Sequence, residues 1–326
     1  MYRMNVATAL DDNYAKYTYV MLYSLFTNNE DAEIYVYLLQ NSLTEESIQN
    51  LEKLCDTYRN HLCLLDVNED TMDQRLLQTD NWTMETCYRL QLFDILPSEV
   101  DRLLYLDVDM VINQSVSELY QMDLGDKKIA AVHDSKMRDE NIVNSVNEYR
   151  DDAIVSLRER DAYFNAGMLL FDVSKLRQEY SYERYISEAE KIGFRLFAPD
   201  QDLLNLLHHD EVVWVDGLRY NFFPGIRIDE GFCYEEMKED VAIIHFIGKK
   251  PWSGGNHIHH CLEKIWWDYA LETPYKDLFL ENYVLDSMTD MSMRDYVKGL
   301  IDENIRLKSD LKSAIESFQK LAGALK

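Results

Sequence analysis

Residues 102–109 read RLLYLDVD, an apolar run that ends in two aspartates. The run from Arg102 to Leu106 has the length and apolar character of a buried strand. Asp107 and Asp109 follow it at once, separated by one residue, so both carboxylates can reach a single cation at the strand end. The same pattern also fits a solvated acidic turn. Its position at the end of a buried strand favours the cation site.

Strand and helix patterns alternate upstream of this stretch. They predict strands at residues 4–10, 33–39 and 62–67, a helix at 14–26, and a second helix that a capping box at 42–47 opens and that runs to residue 58. A helix at 85–96, stopped by Pro97, precedes the strand at 102–106. This alternation is typical of parallel βαβ units. Further β patterns at 129–133, 167–171, 212–215 and 241–246 favour a mixed sheet.

Acidic clusters follow two of the predicted strands. Asp11-Asp12-Asn13 comes after the first and Asp107-Val108-Asp109 after the fourth. Ligands of open α/β sheets lie at the carboxyl ends of the strands, so the two clusters can converge on one cleft. Asp11 and Asn13 are also good caps for the helix that follows, and both interpretations stay open.

His245 ends another apolar run and is followed by Phe246-Ile247-Gly248-Lys249-Lys250. A single histidine there is usually a hydrogen-bonded core residue. With two carboxylates it can instead complete an Asp/Asp/His site, whose mixed oxygen and nitrogen ligands suit Mn²⁺ and are tolerated by Mg²⁺. The Gly-Lys-Lys sequence is a natural position for a diphosphate.

Composition narrows the function classes. The 326 residues include 33 Lys and Arg against 59 Asp and Glu, a formal charge of −26 that argues against nucleic acid as a partner. The five cysteines have no CxxC spacing, which indicates neither a disulfide framework nor a zinc ribbon. With no apolar run of membrane-spanning length and early acidic residues, the sequence predicts a cytoplasmic protein without an integral membrane segment.

The C-terminal region carries an amphipathic pattern. Its apolar residues follow a 4-3 spacing at Val297, Ile301, Leu311, Ile315, Phe318, Ala322 and Leu325. Asn304 and Lys308 interrupt that stripe, so packing back on the body and a homodimer through this helix both stay open. The cluster His257-Ile258-His259-His260-Cys261 is interpreted as a loop with incidental histidines, because its side chains would point several ways.

Seven motifs together resemble glycosyltransferase family 8, which contains bacterial lipopolysaccharide galactosyl- and glucosyltransferases and glycogenin-like enzymes. In chain order they are ATALDDNY, CYRLQLFDILP, DRLLYLDVDMVI, YFNAGMLLFDV, PDQDLLNLL, RYNFFPG and IIHFIGKKPW. The resemblance implies a GT-A type, Rossmann-like α/β fold. It predicts a catalytic domain of one mixed sheet at residues 1–272 and a C-terminal helical extension at 273–326.

The resemblance also implies a role for individual residues. Asp107, Asp109 and His245 would bind Mn²⁺, which bridges the diphosphate of a UDP-sugar. The uracil and ribose would be held by Ala9, Asp11, Asn13, Tyr14 and Val108. The donor sugar would be surrounded by Arg89, Asn165, Asp200 and Gln201. Gly248 and Lys250 would meet the phosphates, although HFIGKKPW is one residue shorter than the form H-x-x-G-x-x-K-P-W, which leaves Lys249 as the alternative to Lys250.

The activity implied is retaining transfer of glucose or galactose from UDP to a glycan, glycolipid or glycoprotein, with α-linkage. Such an acceptor could bring the enzyme to the inner membrane face. A sugar nucleotidyltransferase is the first alternative, but it usually carries a Gly-rich basic loop where this chain reads LDDNY. The second is a catalytically idle protein of the same fold, against which the intact Asp107, Asp109, His245 and Gln201 argue.

Overall fold

The computed structural model describes residues 1–77, 82–134, 148, 150–226, 231, 234–254, 261–288 and 291–324. The strands of this part of the chain are Tyr2–Ala9 (β1), Ala32–Gln40 (β2), His61–Asp66 (β3), Arg102–Leu106 (β4), Met110–Ile112 (β5), Ile129–His133 (β6), Phe164–Asp172 (β7), Val212–Trp214 (β8) and Ile243–His245 (β9). Seven of them form one sheet in the order β3-β2-β1-β4-β7-β6-β8, and β5 pairs with β9 in a separate ribbon.

The central sheet contains one reversed strand. β1 is parallel to β2 and β4, β2 is parallel to β3, and β6 is parallel to β8, whereas β7 is antiparallel to both β4 and β6. The prediction of a mixed α/β sheet is therefore confirmed. The chain changes direction across the sheet between β1 and β4, which is the position where open α/β sheets bind ligands. Reversal of β7 brings its first residues to that same edge.

Helices cover both faces of the sheet. Their bounds are Ala15–Thr27 (α1), Glu45–Thr57 (α2), Met84–Cys87 (α3), Leu92–Ile95 (α4), Ser117–Gln121 (α5), Asp152–Glu159 (α6), Val173–Leu176 (α7), Tyr182–Lys191 (α8), Pro199–His208 (α9), Tyr234–Asp240 (α10), Glu263–Ala270 (α11), Lys276–Ser287 (α12) and Met291–Ala324 (α13). Neighbouring strand residues point to opposite faces, so Val6 and Leu104 enter one apolar layer while Ala7 and Tyr105 enter the other.

The segment predicted as one helix at 85–96 is helical but interrupted. α3 and α4 flank a 3₁₀ turn at Tyr88–Gln91, all four residues of which are buried. From this turn Arg89 donates to Asp107 and to the Ala166 carbonyl at the sheet edge. Tertiary contacts thus override the regular α-helical pattern.

The prediction of a strand at 241–246 was wrong in extent. Only Ile243–His245 is a strand, and it pairs with β5 rather than with the central sheet, with Met110 opposite His245. β5 was not predicted because three residues give no measurable periodicity. This pairing positions the site, because the ribbon joins the segment after Asp109 to the strand that carries His245.

The C-terminal helices differ in their packing. Phe279 of α12 is buried against Tyr17 and Trp266, whereas each described side chain of α13 from Asp302 to Ile315 is exposed. Over Asp302–Ile315, α13 therefore does not pack on the described part of the body. Leu325 and residues 257–260 lie outside the described residues. Among the helices that are described, none combines the length and the apolar character needed to span a bilayer.

Candidate active site

The acidic pair lies where the sequence predicts, immediately after β4. The Asp107 backbone N–H donates to the Gly167 carbonyl (2.9 Å), and the Asp109 carbonyl accepts from the Phe246 N–H (3.0 Å). The first bond joins the pair to β7 and the second joins it to the end of β9. Strands from three parts of the chain therefore meet at this point of the sheet edge.

His245 completes a cluster of three potential metal ligands. Its Nε2 lies 3.0 Å from Oδ1 of Asp109 and 3.8 Å from Oδ2 of Asp107. One ligand atom from each of the three residues lies within 4.8 Å of the others. Two carboxylates and an imidazole at this spacing form a donor set that fits Mn²⁺, and Mg²⁺ as well.

The tautomer of His245 is set by a chain of hydrogen bonds that starts at a backbone amide. The Gly167 N–H donates to Oδ1 of Asn165 (2.9 Å), which identifies that atom as the oxygen. The same oxygen accepts from Nδ2 of Asn221 (2.9 Å), so the Asn221 oxygen faces His245 and accepts from its Nδ1 at 2.7 Å. Nε2 is thereby left pointing at the carboxylates, as a ligating histidine requires.

Gly167 lies at a point of this wall where a side chain has no room. A Cβ built there would lie 2.3 Å from Cε1 of His245 and 2.8 Å from Oδ2 of Asp107. Both neighbours belong to the three-residue cluster, so the close approach of the β7 backbone to the cluster depends on glycine.

Arg89 joins the acidic pair to a second carboxylate. Its guanidinium lies 2.8 Å from Oδ1 of Asp107 and 2.9 Å from Oδ2 of Asp200, with 5% of the side chain exposed. Burial raises the pKa of Asp200 to about 6, although the nearby Arg89 charge opposes that rise. A buried guanidinium that spans two carboxylates fixes the position of both.

Gln201 sits in a network that fixes its orientation. Its Oε1 accepts from the Ala166 N–H (2.9 Å) and from Nδ2 of Asn165 (3.1 Å), while its Nε2 donates to Asp134 (2.9 Å) and to the Tyr163 hydroxyl (3.2 Å). Asn165 lies inside β7, one residue after the strand begins.

These groups line a cavity of about 580 Å³ at the carboxyl edge of the sheet. The predicted site residues in its wall are Ala9, Asp11, Tyr14, Arg89, Asp107, Val108, Asp109, Asn165, Asp200, Gln201, His245, Gly248 and Lys250. Asn13 is not in the wall but donates to Oδ2 of Asp11 (3.0 Å). Lys250 donates to Asp109 and to the Phe246 carbonyl (2.9 Å), whereas Lys249 is exposed.

Sequence reasoning assigned no role to Asn221 or Gly167. Both lie inside quoted motifs, RYNFFPG and YFNAGMLLFDV, but neither carries a charge or a nucleophile that would draw attention. Asn221 is 1% exposed and has φ +71°, a left-handed backbone conformation that asparagine tolerates better than most residues. A motif asparagine beside aromatic residues is the only signal that the sequence offers.

Comparison with known proteins identifies the family of the chain. The family model of glycosyl transferase family 8 matches residues 5–255, about three quarters of the chain. The chain belongs to glycosyltransferase family 8. The resemblance predicted from the motifs is thereby confirmed, and with it the assignment of this protein as a family 8 enzyme.

Individual relatives are similar to this chain over most of its length. It is 26% identical to a lipopolysaccharide 1,2-glucosyltransferase of Escherichia coli over 76% of this chain and 73% of the relative. It is 25% identical to general stress protein A of Bacillus subtilis strain 168 over 77% of this chain and 87% of the relative. The crystal structure of the galactosyltransferase LgtC with donor and acceptor sugar analogs has the same fold, with TM-score 0.66, 24% identity and coverage of 83% of this chain and 96% of LgtC.

Proposed function

We propose that this family 8 enzyme moves a hexose, glucose or galactose, from UDP to a glycan, glycolipid or glycoprotein acceptor with retention of configuration. The observation that carries the proposal is the convergence of Asp107, Asp109 and His245 within 4.8 Å at one wall of the cavity. The residues implied for the donor sugar line the same cavity. A site with a cation at one wall and polar groups beyond it suits a sugar nucleotide.

Asp107, Asp109 and His245 would hold a divalent cation, Mn²⁺ by the donor set and Mg²⁺ as the alternative. Such a cation neutralises the charge that develops on the diphosphate leaving group. Lys250, which lies beside Asp109, adds a second positive charge on that side of the cavity. Gly248 has φ +81° and no Cβ, so its backbone can approach a phosphate closely.

The nucleoside would lie at the end of β1. Ala9 and Val108 offer backbone contacts there, and the ring of Tyr14 is 37% exposed and able to stack on a base. The Asp11 carboxylate caps the following turn by accepting from the Tyr14 N–H (3.0 Å), and it also accepts from the Asn13 amide (3.0 Å). The lone pairs that remain on its oxygens would accept from ribose hydroxyls. Asn13 thus acts through Asp11 in this proposal.

The donor sugar would occupy the space between Arg89, Asn165 and Asp200, whose polar atoms orient its hydroxyls. Gln201 would lie nearest the anomeric carbon. An amide is a poor nucleophile, so its role is electrostatic. Two N–H donors fix the Gln201 carbonyl, and its dipole stabilises positive character at the anomeric carbon without reorganisation. The acceptor then attacks on the face that the phosphate leaves, and its proton passes to the departing phosphate oxygen.

Calorimetric titration of UDP-glucose and UDP-galactose, with and without Mn²⁺, tests the proposal together with an assay for released UDP. We expect Mn²⁺-dependent binding of one donor and slow hydrolysis. Asp109→Asn should abolish both, with a loss of turnover of about 10²-fold or more. Asp126→Asn makes the same chemical change at an exposed site outside the cavity wall and should leave both unchanged. Absence of binding to either donor would refute the proposal.

A further inference from the structure

The long helix α13 presents an uncovered apolar ridge. Leu300, Leu307 and Leu311 are between 48% and 62% exposed. Each described side chain from Asp302 to Ile315 is exposed, so no described part of the body covers them. A helix of 34 residues with such a ridge is seldom stable as a solitary element in water.

The apolar residues of the ridge can be written as a seven-residue repeat. Taking Val297 as the first position, the first positions are Val297, Asn304, Leu311 and, continuing in the sequence, Phe318. The fourth positions are Leu300, Leu307, Ala314 and Leu321. This register differs from the 4-3 stripe described above, because Leu300 and Leu307 enter the seam while Ile301, Lys308 and Ile315 flank it at the fifth position. An average spacing of 3.5 residues is the period of a two-helix seam and not of a helix lying on a globular body.

Asn304 and the charges beside the seam identify the partner. Because a first-position asparagine can pair with its own copy across a parallel dimer, it favours two strands in one register. We propose that α13 forms a parallel, two-stranded coiled coil with a second copy of this chain. This interface does not depend on the function proposed above.

The flanking charges select the parallel orientation. In a parallel pair, Glu303 at the seventh position faces Lys308 at the fifth position of the next repeat on the other chain, and two-fold symmetry makes this contact twice. In an antiparallel pair, seventh positions face each other and Glu303 would approach Asp310, which is a repulsive contact. Charge complementarity therefore favours the parallel arrangement.

The charge of the helix does not suit an anionic membrane surface. Residues 291–315 contain five basic side chains and four acidic ones, a difference of one positive charge. Membrane-surface helices concentrate Lys and Arg on the polar face, whereas here Asp302, Glu303 and Asp310 are interspersed with the basic residues.

Sedimentation velocity and light scattering of the full chain test the coiled coil. We expect twice the chain mass of 38.5 kDa at micromolar concentration. Leu307→Glu with Leu311→Glu should raise the dimer dissociation constant by at least 100-fold. Ile305→Glu is the matched control, since Ile305 is 55% exposed on the same helix but lies outside the seam, and it should remain dimeric.

Three outcomes would overturn the proposal. They are a monomeric chain at tens of micromolar, equal effects of the seam and Ile305 variants, and a monomeric chain that floats with phosphatidylglycerol vesicles. Orientation is tested with the charge variants: Glu303→Lys and Lys308→Glu should each weaken the dimer, and the two together should restore it. Both single variants leave the cavity untouched, so UDP-sugar binding should remain at the level of the unsubstituted chain.

Discussion

The Nδ1 atom of His245 donates to the side-chain oxygen of Asn221 over 2.7 Å. Asn221 is buried, has a left-handed backbone, and also donates to Asn165, so one asparagine joins the candidate metal cluster to the donor-sugar end of the cavity. The orientation of both amides follows from the Gly167 N–H, which has only one possible polarity. The imidazole is thus oriented by Asn221, which is not in the cavity wall.

Replacing Asn221 with glycine isolates this effect. Glycine adopts the left-handed φ without strain, so Asn221→Gly removes the amide while keeping the backbone. We expect affinity for Mn²⁺ to fall about 10- to 100-fold, the usual cost of losing the partner of a ligating histidine. Calorimetric Mn²⁺ titration measures this, and the ¹⁵N shifts of His245 should reveal a mixed tautomer. Unchanged Mn²⁺ affinity would mean that Asn221 only fills space.

Gly167→Ala should disable the site through sterics alone. The new Cβ would lie 2.3 Å from Cε1 of His245, so the imidazole must move. We expect Mn²⁺ binding and donor turnover to fall at least about 10²-fold, since a shift of about 1 Å in a group at the reacting centre has that cost. Gly125→Ala, where a Cβ meets nothing within 4 Å, controls for loss of glycine. That position has φ +58°, so only stability should respond there.

Lys250 and Lys249 should differ in their effect on nucleotide binding. Lys250 lines the cavity and bonds to Asp109, whereas Lys249 is exposed and absent from the wall. Loss of a charged hydrogen bond corresponds to about 1.5–3 kcal/mol. Lys250→Ala should therefore weaken UDP binding by roughly tenfold or more, and Lys249→Ala by much less. Equal losses in UDP titrations would assign the phosphate contact to both lysines.

Acid should destabilise the fold through Glu211 and His208, which lie far from the acidic pair in sequence and hydrogen-bond to each other over 2.9 Å. Burial opposes the charge of Glu211, but hydrogen bonds from His208 and Lys128 outweigh it and lower its pKa from 4.5 to about 2. Its contribution is present above pH 4.5 and lost as the pH falls toward 2. Burial lowers the pKa of His208 below 6.5, which also favours the folded state only at higher pH.

Glu211→Gln should thus lower the free energy of unfolding above pH 5 by about 1–2 kcal/mol and flatten its decline between pH 5 and 3. Urea titration at a series of pH values measures this. Glu179→Gln is the control, because Glu179 also pairs with Lys128 but is 57% exposed. A parallel decline in the Glu211 variant and the unsubstituted chain would show that other groups control acid stability.

The strands that carry the site were predictable because each is a buried run with a polar end. RLLYLDVD combines a four-residue apolar run, Leu103–Leu106, with the acidic pair, and the sheet edge brings that pair near the end of β1. The sequence also identifies His245 as a candidate ligand, but it does not show the route by which the chain brings His245 to the acidic pair. That route depends on a ribbon of two three-residue strands, which is too short to register as a period.

The residues that support the site were harder to predict from the sequence, for a different reason. Asn221 acts by orienting His245, and Gly167 acts because it has no side chain. Neither property can be read from the sequence. Arg89 was identified by resemblance, yet its link between Asp107 and Asp200 required the interrupted helix that no pattern indicated. Composition and periodicity report burial, whereas these contacts depend on tertiary position.

The pairing of β5 with β9 affects when the site forms during synthesis and how proteolysis would inactivate the enzyme. All seven strands of the central sheet precede residue 215, so the sheet strands and both carboxylates are synthesised before His245. A nascent chain therefore carries the acidic pair without its third member until the ribbon closes. A proteolytic cut between β8 and β9 would likewise detach the imidazole while every strand of the central sheet stays on one covalent fragment.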